Sequence, residues 1–146
     1  MRHALVRLLP YTHDQMFQLV GDVEAYPDFV PWITSMRVWN PRLEGEISLV
    51  DAEATVGFSF LQERFSTRVR RDAARGEIVV TLLQGPFRKL VNGWRFSPHP
   101  TGVQIDFMID FEFKSMMLDM MLSANMEKAV AKLVGCFEAR AKALYG

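Results

Sequence analysis

The groups in this chain that could do chemistry are few and scattered. His3, His13 and His99 fall on a first strand, at a first helix start and in a late turn. None has a second ligand at i, i+4 spacing and none sits in an H-E-x-x-H pattern, so they read as solvated surface histidines. The single cysteine, Cys136, excludes an intramolecular disulfide and any multi-thiolate metal site. It lies beside Phe137 with no histidine or aspartate in register, the setting of a buried structural thiol rather than a nucleophile. Asp106, Asp110 and Glu112 alternate with Ile and Phe, which puts them on the wet face of a strand. Paired acids for acid–base work should instead converge in a pocket. No nucleophile elbow, phosphate-cradling glycine loop or dinucleotide fingerprint occurs. The expectation is a protein without catalytic residues, metal or cofactor.

Arg64, Arg68, Arg70, Arg71 and Arg75 make the one basic concentration. Arg64, Arg68 and Arg70 share a strand face, opposite Phe65, Thr67 and Val69. Glu44, Glu46, Asp51 and Glu53 precede them on what should be the neighbouring strand, so cross-strand ion pairs are the plain expectation. Contact with RNA or an anionic headgroup is the alternative, and the missing interleaved aromatics weaken the RNA reading. Lys+Arg at 17 cancels Asp+Glu at 17, so the whole chain exerts no pull on nucleic acid, and no DNA partner is expected.

The apolar residues are more informative. The 146 residues include 11 Phe and 9 Met against 3 Tyr and 3 Trp. Phe and Met bring bulk without hydrogen-bonding demands, which suits either a plain core or an apolar ligand cavity. Arg7 interrupts the apolar start of the chain, so no signal peptide is expected. The stretch Met116–Leu122 is far too short to span a bilayer and carries Asp119. A cytoplasmic monomer is expected, with peripheral contact at the inner membrane left open, and residues 1–146 read as one domain.

These residues need a scaffold. Residues 3 to 9 alternate as a first strand. Thr12 offers an N-cap ahead of Met16, Phe17, Leu19 and Val20, spaced for a short helix. Pro27 and Pro31 bracket a compact aromatic connection, Tyr26-Pro27-Asp28-Phe29-Val30-Pro31-Trp32, with room for a single helical turn. From Ile33 to Phe113 the period is two, with turns at Gly45, the Gly57 region, Ala74–Gly76, Gly85-Pro86 and Pro98–Gly102, which makes about six antiparallel strands. Val103, Ile105, Phe107, Ile109, Phe111 and Phe113 fall on one face of the last. Ala52, Ala54, Val56 and Phe58 share a face opposite Asp51, Glu53 and Thr55, and small alanines facing inward leave space to be filled. Ser115 to Tyr145 reads as one long helix, its stripe running through Leu118, Leu122, Met126, Val130, Leu133, Phe137, Ala141 and Leu144. Such a helix is the only element long enough to cover a curved antiparallel sheet, giving an α+β fold in which sheet grips helix. Leu118, Met126, Val130, Leu133 and Phe137 should face Trp94, Phe107 and Ile109.

Three segments together resemble a known family. Val23-Glu24-Ala25-Tyr26-Pro27-Asp28-Phe29-Val30-Pro31-Trp32 is similar to the N-terminal signature of the coenzyme Q-binding, START-like family of the polyketide cyclase superfamily. Gly85-Pro86-Phe87-Arg88-Lys89-Leu90 with Trp94-Arg95-Phe96, and Asp110-Phe111-Glu112-Phe113 running into a helix that closes on Tyr145-Gly146, resemble its later strands and C-terminal end. The chain departs from the family pattern at Ile33, where a cysteine is usual, and at Asn92, where glycine is usual. The resemblance implies a helix-grip fold whose apolar tunnel holds ubiquinone or a related isoprenoid lipid as ligand, in support of respiratory electron transfer. It also implies a competing branch of bacterial toxins that act on ribosomal subunit association, with the ribosome as partner. A polyketide cyclase-like enzyme is a third class, and it needs a polar group inside the cavity. Asn92 is the candidate that strand alternation names.

The expected site follows from both lines. Tyr26, Phe29, Pro31 and Trp32 should form one lip, held ready because prolines fix the connection at low entropic cost. Phe87, Leu90 and Trp94 should oppose them, with Phe107 and Phe111 along the floor. The same residues could equally fill the core.

Overall fold

The computed structural model describes the whole chain except residues 59–60. Its strands are β1 (Arg2–Leu9), β2 (Ile33–Glu44), β3 (Ile47–Phe58), β4 (Leu61–Asp72), β5 (Glu77–Gln84), β6 (Phe87–His99) and β7 (Gly102–Phe113). They form one antiparallel sheet in the order β1-β7-β6-β5-β4-β3-β2. From β2 to β7 each strand pairs with the next, and the first strand closes on the last, with Leu5 opposite Phe107. The chain must therefore travel from one sheet edge to the other between β1 and β2. Helix α1 (His13–Gly21) and a 3₁₀ turn (Val23–Asp28) make that crossing.

Local chemistry explains the crossing. Thr12 and Gln15 form a reciprocal capping box, each side chain accepting from the other's backbone N–H at 3.0 Å. Met16 and Val20 of α1 are fully buried. The 3₁₀ turn contains Pro27, and Val30 N–H bonds back to the Tyr26 carbonyl at 2.8 Å, so the connection is tight. Gly57 N–H donates to the Trp32 carbonyl at 2.9 Å and ties its end to the sheet. Gly57 thus lies within β3 rather than at a turn.

Bulges bend the sheet. Register shifts fall between Ile33 and Ser35 and between Trp39 and Arg42 on β2, between Ser66 and Thr67 on β4, and between Phe87 and Lys89 on β6. At the second of these Asn40 takes a left-handed φ of 57°, a conformation Asn tolerates better than most residues. The concave face carries the core, with Val69, Ile78, Trp94, Phe96, Val103, Ile105 and Phe107 all buried.

The expected single C-terminal helix is two. α2 (Met116–Ala124) and α3 (Met126–Tyr145) meet at Asn125, whose φ of −121° and ψ of 15° leave the helical region. The Asn125 side-chain amide donates to the Met121 carbonyl at 3.1 Å and satisfies a group the break would orphan. The break has a mechanical reason. Asp119 accepts the Phe113 N–H at 3.1 Å and pins α2 to the end of β7, whereas α3 must cross the concave face. One straight helix cannot do both.

The expected stripe is also shifted. Val134 is buried on α3 with Met126, Val130, Phe137 and Ala141, Leu133 is half-buried, and Leu144 is exposed. The architecture is nonetheless a helix-grip α+β fold, a curved seven-stranded antiparallel sheet holding α3 in its concave face.

Candidate functional site

A cavity of about 160 Å³ lies between the sheet and α3. Its sheet wall is built from inward-facing residues of successive strands: Ala52 and Ala54 on β3, Phe65, Thr67 and Val69 on β4, Val80 on β5, and Leu90, Asn92 and Trp94 on β6. Leu133 and Phe137 of α3 face them. Val23 and Tyr26 from the 3₁₀ turn, with Ile33 and Met36 from β2, close one side, and Ile109 of β7 contributes on the other. The alanines create the space, since a strand carrying larger side chains at 52 and 54 would meet Phe137 and Leu133 across it.

The wall's polar groups are held by the protein. Asn92 donates through Nδ2 to the Met108 carbonyl and accepts through Oδ1 from Trp94 Nε1, both at 2.9 Å. The Tyr26 hydroxyl donates to the Val20 carbonyl. Burial, followed by the Asp22 charge and opposed by Arg71, pushes the Tyr26 phenol above its ordinary range, so it stays neutral. Each polar end of the Asn92 amide is thus engaged by the protein, which fixes the Trp94 ring.

Of the nine expected site residues, Tyr26, Leu90 and Trp94 line this cavity. The others stand in a second layer or outside it. Phe29 packs edge-on against Tyr26 at 5.8 Å and Phe137 at 5.1 Å, buttressing the wall from behind. Trp32 is half-buried with Lys132 Nζ 5.6 Å above its ring, and Pro31 is exposed. Phe107 lies edge-on to Trp94 at 4.8 Å, fully within the core. Phe87 stacks on Phe113 at 4.5 Å and meets Phe111 and Phe65, so only Phe65 carries that aromatic cluster to the cavity.

Sequence reasoning passed over Thr67, Ile109, Leu133 and Phe137 as site residues. Strand alternation would have found Thr67, which faces away from the arginines of β4. Ile33 and Asn92, the two departures from the family pattern, both line the cavity.

The remaining chemical groups lie elsewhere. On the convex face Asp51 is 4% exposed, beneath Arg68 at 3.0 Å and Arg42 at 3.5 Å. Its hydrogen bond from Arg68 outweighs burial and holds the carboxyl below its usual range. Glu53 meets Arg37 and Arg64, at 3.7 and 3.9 Å. Asp72, rather than Glu44 or Glu46, takes Arg70 and Arg75, at 3.8 and 3.9 Å. Arg71 points inward instead, donating to the Gly21 carbonyl at 2.8 Å and Ser48 Oγ at 2.9 Å, and so pins the end of α1 to β4. Lys89 grips Asp110 at 2.7 Å and Arg88 meets Glu112 at 3.3 Å. Cys136 is half-buried, and burial raises its thiol pKa. Among the described residues no three His, Cys, Asp or Glu side chains gather for a metal, and no helix is long and apolar enough to cross a membrane.

The chain is similar to known proteins. The solution structure of an 18 kDa protein from Caulobacter crescentus is 59% identical and matches with a TM-score of 0.84, over 100% of this chain and 99% of that one. The ribosome association toxin RatA of Escherichia coli K12 is 34% identical over 139 residues, 94% of this chain and 85% of that protein. The mitochondrial coenzyme Q-binding protein COQ10 homolog B of Xenopus laevis is 31% identical over 144 residues, 96% of this chain and 57% of that protein. The family model for polyketide cyclase / dehydrase and lipid transport proteins matches residues 9–138, and the chain belongs to that family.

Proposed function

We propose that the protein is a non-catalytic carrier that holds ubiquinone or a related isoprenoid lipid between its sheet and α3, in support of respiratory electron transfer. The observation that carries this reading is the cavity wall, in which apolar side chains predominate and Asn92 and Tyr26 are already hydrogen-bonded. Such a wall favours an apolar guest that asks for few hydrogen bonds. The similarity to a coenzyme Q-binding protein supports the choice of quinone.

The cavity, at about 160 Å³, is smaller than the roughly 300–1,000 Å³ of typical small-molecule sites. It accommodates part of a long ligand. The remainder follows the Tyr26–Trp32 connection, where Phe29, Pro31 and Trp32 offer partly exposed apolar faces. Phe87, Phe107 and Phe111 act from behind, holding Leu90 and Trp94 in place. No resident cofactor is involved; the quinone is cargo.

The test is organic extraction and mass spectrometry of lipid carried by the native protein and by Ala54→Leu, which fills the cavity. A quinone carried by the first and lost from a folded second is expected, with Trp32→Ala losing it while remaining folded. No isoprenoid lipid in the native protein, together with no quenching of Trp94 fluorescence by added ubiquinone, overturns the reading.

A second reading rests on the likeness to a ribosome association toxin and on the exposed arginines of the convex face. Under it, Arg68 and Arg70 contact ribosomal RNA. Their ion pairs with Asp51 and Asp72 count against this, because each would have to be exchanged for a phosphate. Salt-sensitive co-sedimentation with ribosomal subunits, abolished by neutralising both arginines, would favour the toxin over the carrier.

A further inference from the structure

Thr67 is the polar residue of the cavity wall that the protein leaves unserved. It is 6% exposed and lines the cavity from β4. The wall's other polar side chains each have a partner. The Tyr26 hydroxyl donates to the Val20 carbonyl, Asn92 donates to the Met108 carbonyl, and the Trp94 indole N–H donates to Asn92. Among the described residues nothing hydrogen-bonds the Thr67 hydroxyl. A buried hydroxyl without a partner carries a desolvation cost that valine, of the same shape, would avoid. Packing alone gives no reason for a hydroxyl here.

The surroundings narrow what could serve it. Thr67 stands between Ala52 of β3 and Leu82 of β5, and neither side chain has a polar atom. An ordered water needs about two to four polar partners, and these neighbours offer none beyond the hydroxyl itself. Ala52 lines the cavity beside Thr67, so the small side chain leaves the hydroxyl open to the space. The β4–β5 register shifts between Ser66 and Thr67, and a bulge at such a point re-aims a side chain. Gly57, whose N–H ties the Trp32 carbonyl, lies further along β3 than Ala52. At roughly 3.4 Å per residue the row holding Thr67 is about 17 Å from that tie, well inside the lip.

We propose that Thr67 is the residue that orients the guest: resting on the carrier reading, its hydroxyl donates to a carbonyl oxygen of the quinone ring. Ubiquinone carries all its oxygens on the ring and none on the isoprenoid tail, so one buried donor decides which end enters. The ring takes the space beside Ala52 and Ala54, and the tail leaves along the Tyr26–Trp32 connection. The same hydroxyl sets specificity. A ring with an accepting oxygen satisfies it, whereas a wholly hydrocarbon guest leaves it buried and unpaired.

The test compares the full native chain with Thr67→Val and Thr67→Ser, using a short-chain ubiquinone labelled with carbon-13 at its carbonyls. Infrared difference spectra of the native complex should show a carbonyl band at lower frequency than the same quinone gives in hexane. Thr67→Val should lose that shift and bind about three- to tenfold more weakly by tryptophan quenching, the worth of one hydrogen bond. Without quinone it should unfold at a temperature no lower than the native protein, since it loses only an unpaired hydroxyl. Thr67→Ser should restore the shifted band. An unshifted carbonyl in the native complex, or Thr67→Val with native affinity and a native band, overturns the assignment and leaves the carrier reading standing. So does a quinone-free Thr67→Val that unfolds well below the native protein, since the hydroxyl would then have a partner in the fold. No quinone binding by the native protein overturns both.

Discussion

Phe137→Ala should be among the most damaging single changes to the fold. The ring is 2% exposed and lies between three others, Tyr26 and Phe29 at 5.1 Å and Trp94 at 4.9 Å. Truncating a buried Phe costs about 3–5 kcal/mol, the larger figure applying where neighbours cannot collapse into the space. Here they cannot. Tyr26 is tied to the Val20 carbonyl, Trp94 to Asn92, and the existing cavity already borders the ring, so the new void merges with the old. We expect about 4–5 kcal/mol, a large share of the roughly 5–15 kcal/mol that such a domain possesses. With a urea slope near 2 kcal/mol/M, the midpoint should fall by about 2 M in a circular-dichroism titration. Leu133→Ala is the control, because Leu133 touches the same cavity but is half-buried. It should cost less than about 2 kcal/mol, since part of its side chain already meets water. Equal losses at the two positions, or a Phe137→Ala loss below about 2 kcal/mol, would refute the packing argument. For the same reason Leu133→Asp should be milder than Val134→Asp, whose carboxylate would be placed in the core.

Other expectations are narrower. Thr12→Ala removes half of the capping box and should cost about 1 kcal/mol, with Gln15→Ala costing less, both read by thermal unfolding. Tyr26→Phe leaves the Val20 carbonyl without its phenol donor and should cost about 1–3 kcal/mol despite the conserved ring volume. Gly76→Ala should fail more severely, because φ is 62° and an added Cβ would lie 2.6 Å from the Phe96 carbonyl oxygen; a variant as stable as the native chain would contradict that geometry. Asp51, held low chiefly by its hydrogen bond from Arg68, contributes stability that is complete above the ordinary aspartate range of about 3.9 and disappears as pH falls through its depressed folded value. Asp51→Asn should therefore flatten the acid limb of a stability–pH curve, and an unchanged limb would show that Arg68 does not hold the charge.

The sheet was legible because its pattern has one cause. In β7 the apolar residues Val103, Ile105, Phe107, Ile109, Phe111 and Phe113 recur every second position against a wetter face, and all but the half-buried Ile109 are buried. The Thr12 cap and the Pro-fixed turn were legible for similarly local reasons. Asn125 was not. Periodicity runs through it unbroken, and the helix stops there because α2 is anchored to β7 by Asp119, a contact between residues whose relation is set by the fold. The site was legible in parity but not in depth. Alternation places Trp94 and Phe107 on the concave face alike, yet Trp94 reaches the cavity and Phe107 stands behind it. Which inward residue meets empty space depends on the size of what faces it across the layer.

That point bears on why a cavity persists at all. A core that buries Phe17, Phe87, Phe96, Phe107, Phe111, Phe113 and Phe137 has ample volume to close the gap, and close packing is worth more than a void. The void is kept open by two features that act against collapse. Ala52 and Ala54 place the smallest side chains of the wall opposite α3, and the rings around them are fixed in orientation by bonds and edge-on contacts rather than free to lean inward. Trp94 is the clearest case, tethered to Asn92, which is itself tethered to the Met108 carbonyl of the next strand. A buried polar pair in an apolar wall has a desolvation cost that an apolar residue at 92 would avoid. Its retention is understandable if holding the indole upright matters more than that cost, as it would where an apolar guest must find the space already formed. Asn92→Leu gains apolar burial but leaves the Trp94 Nε1–H and the Met108 carbonyl without that partner, so it should cost about 1–3 kcal/mol while the indole moves and the cavity shrinks. Lipid retained at native levels by that variant would separate the cavity from the carrier role.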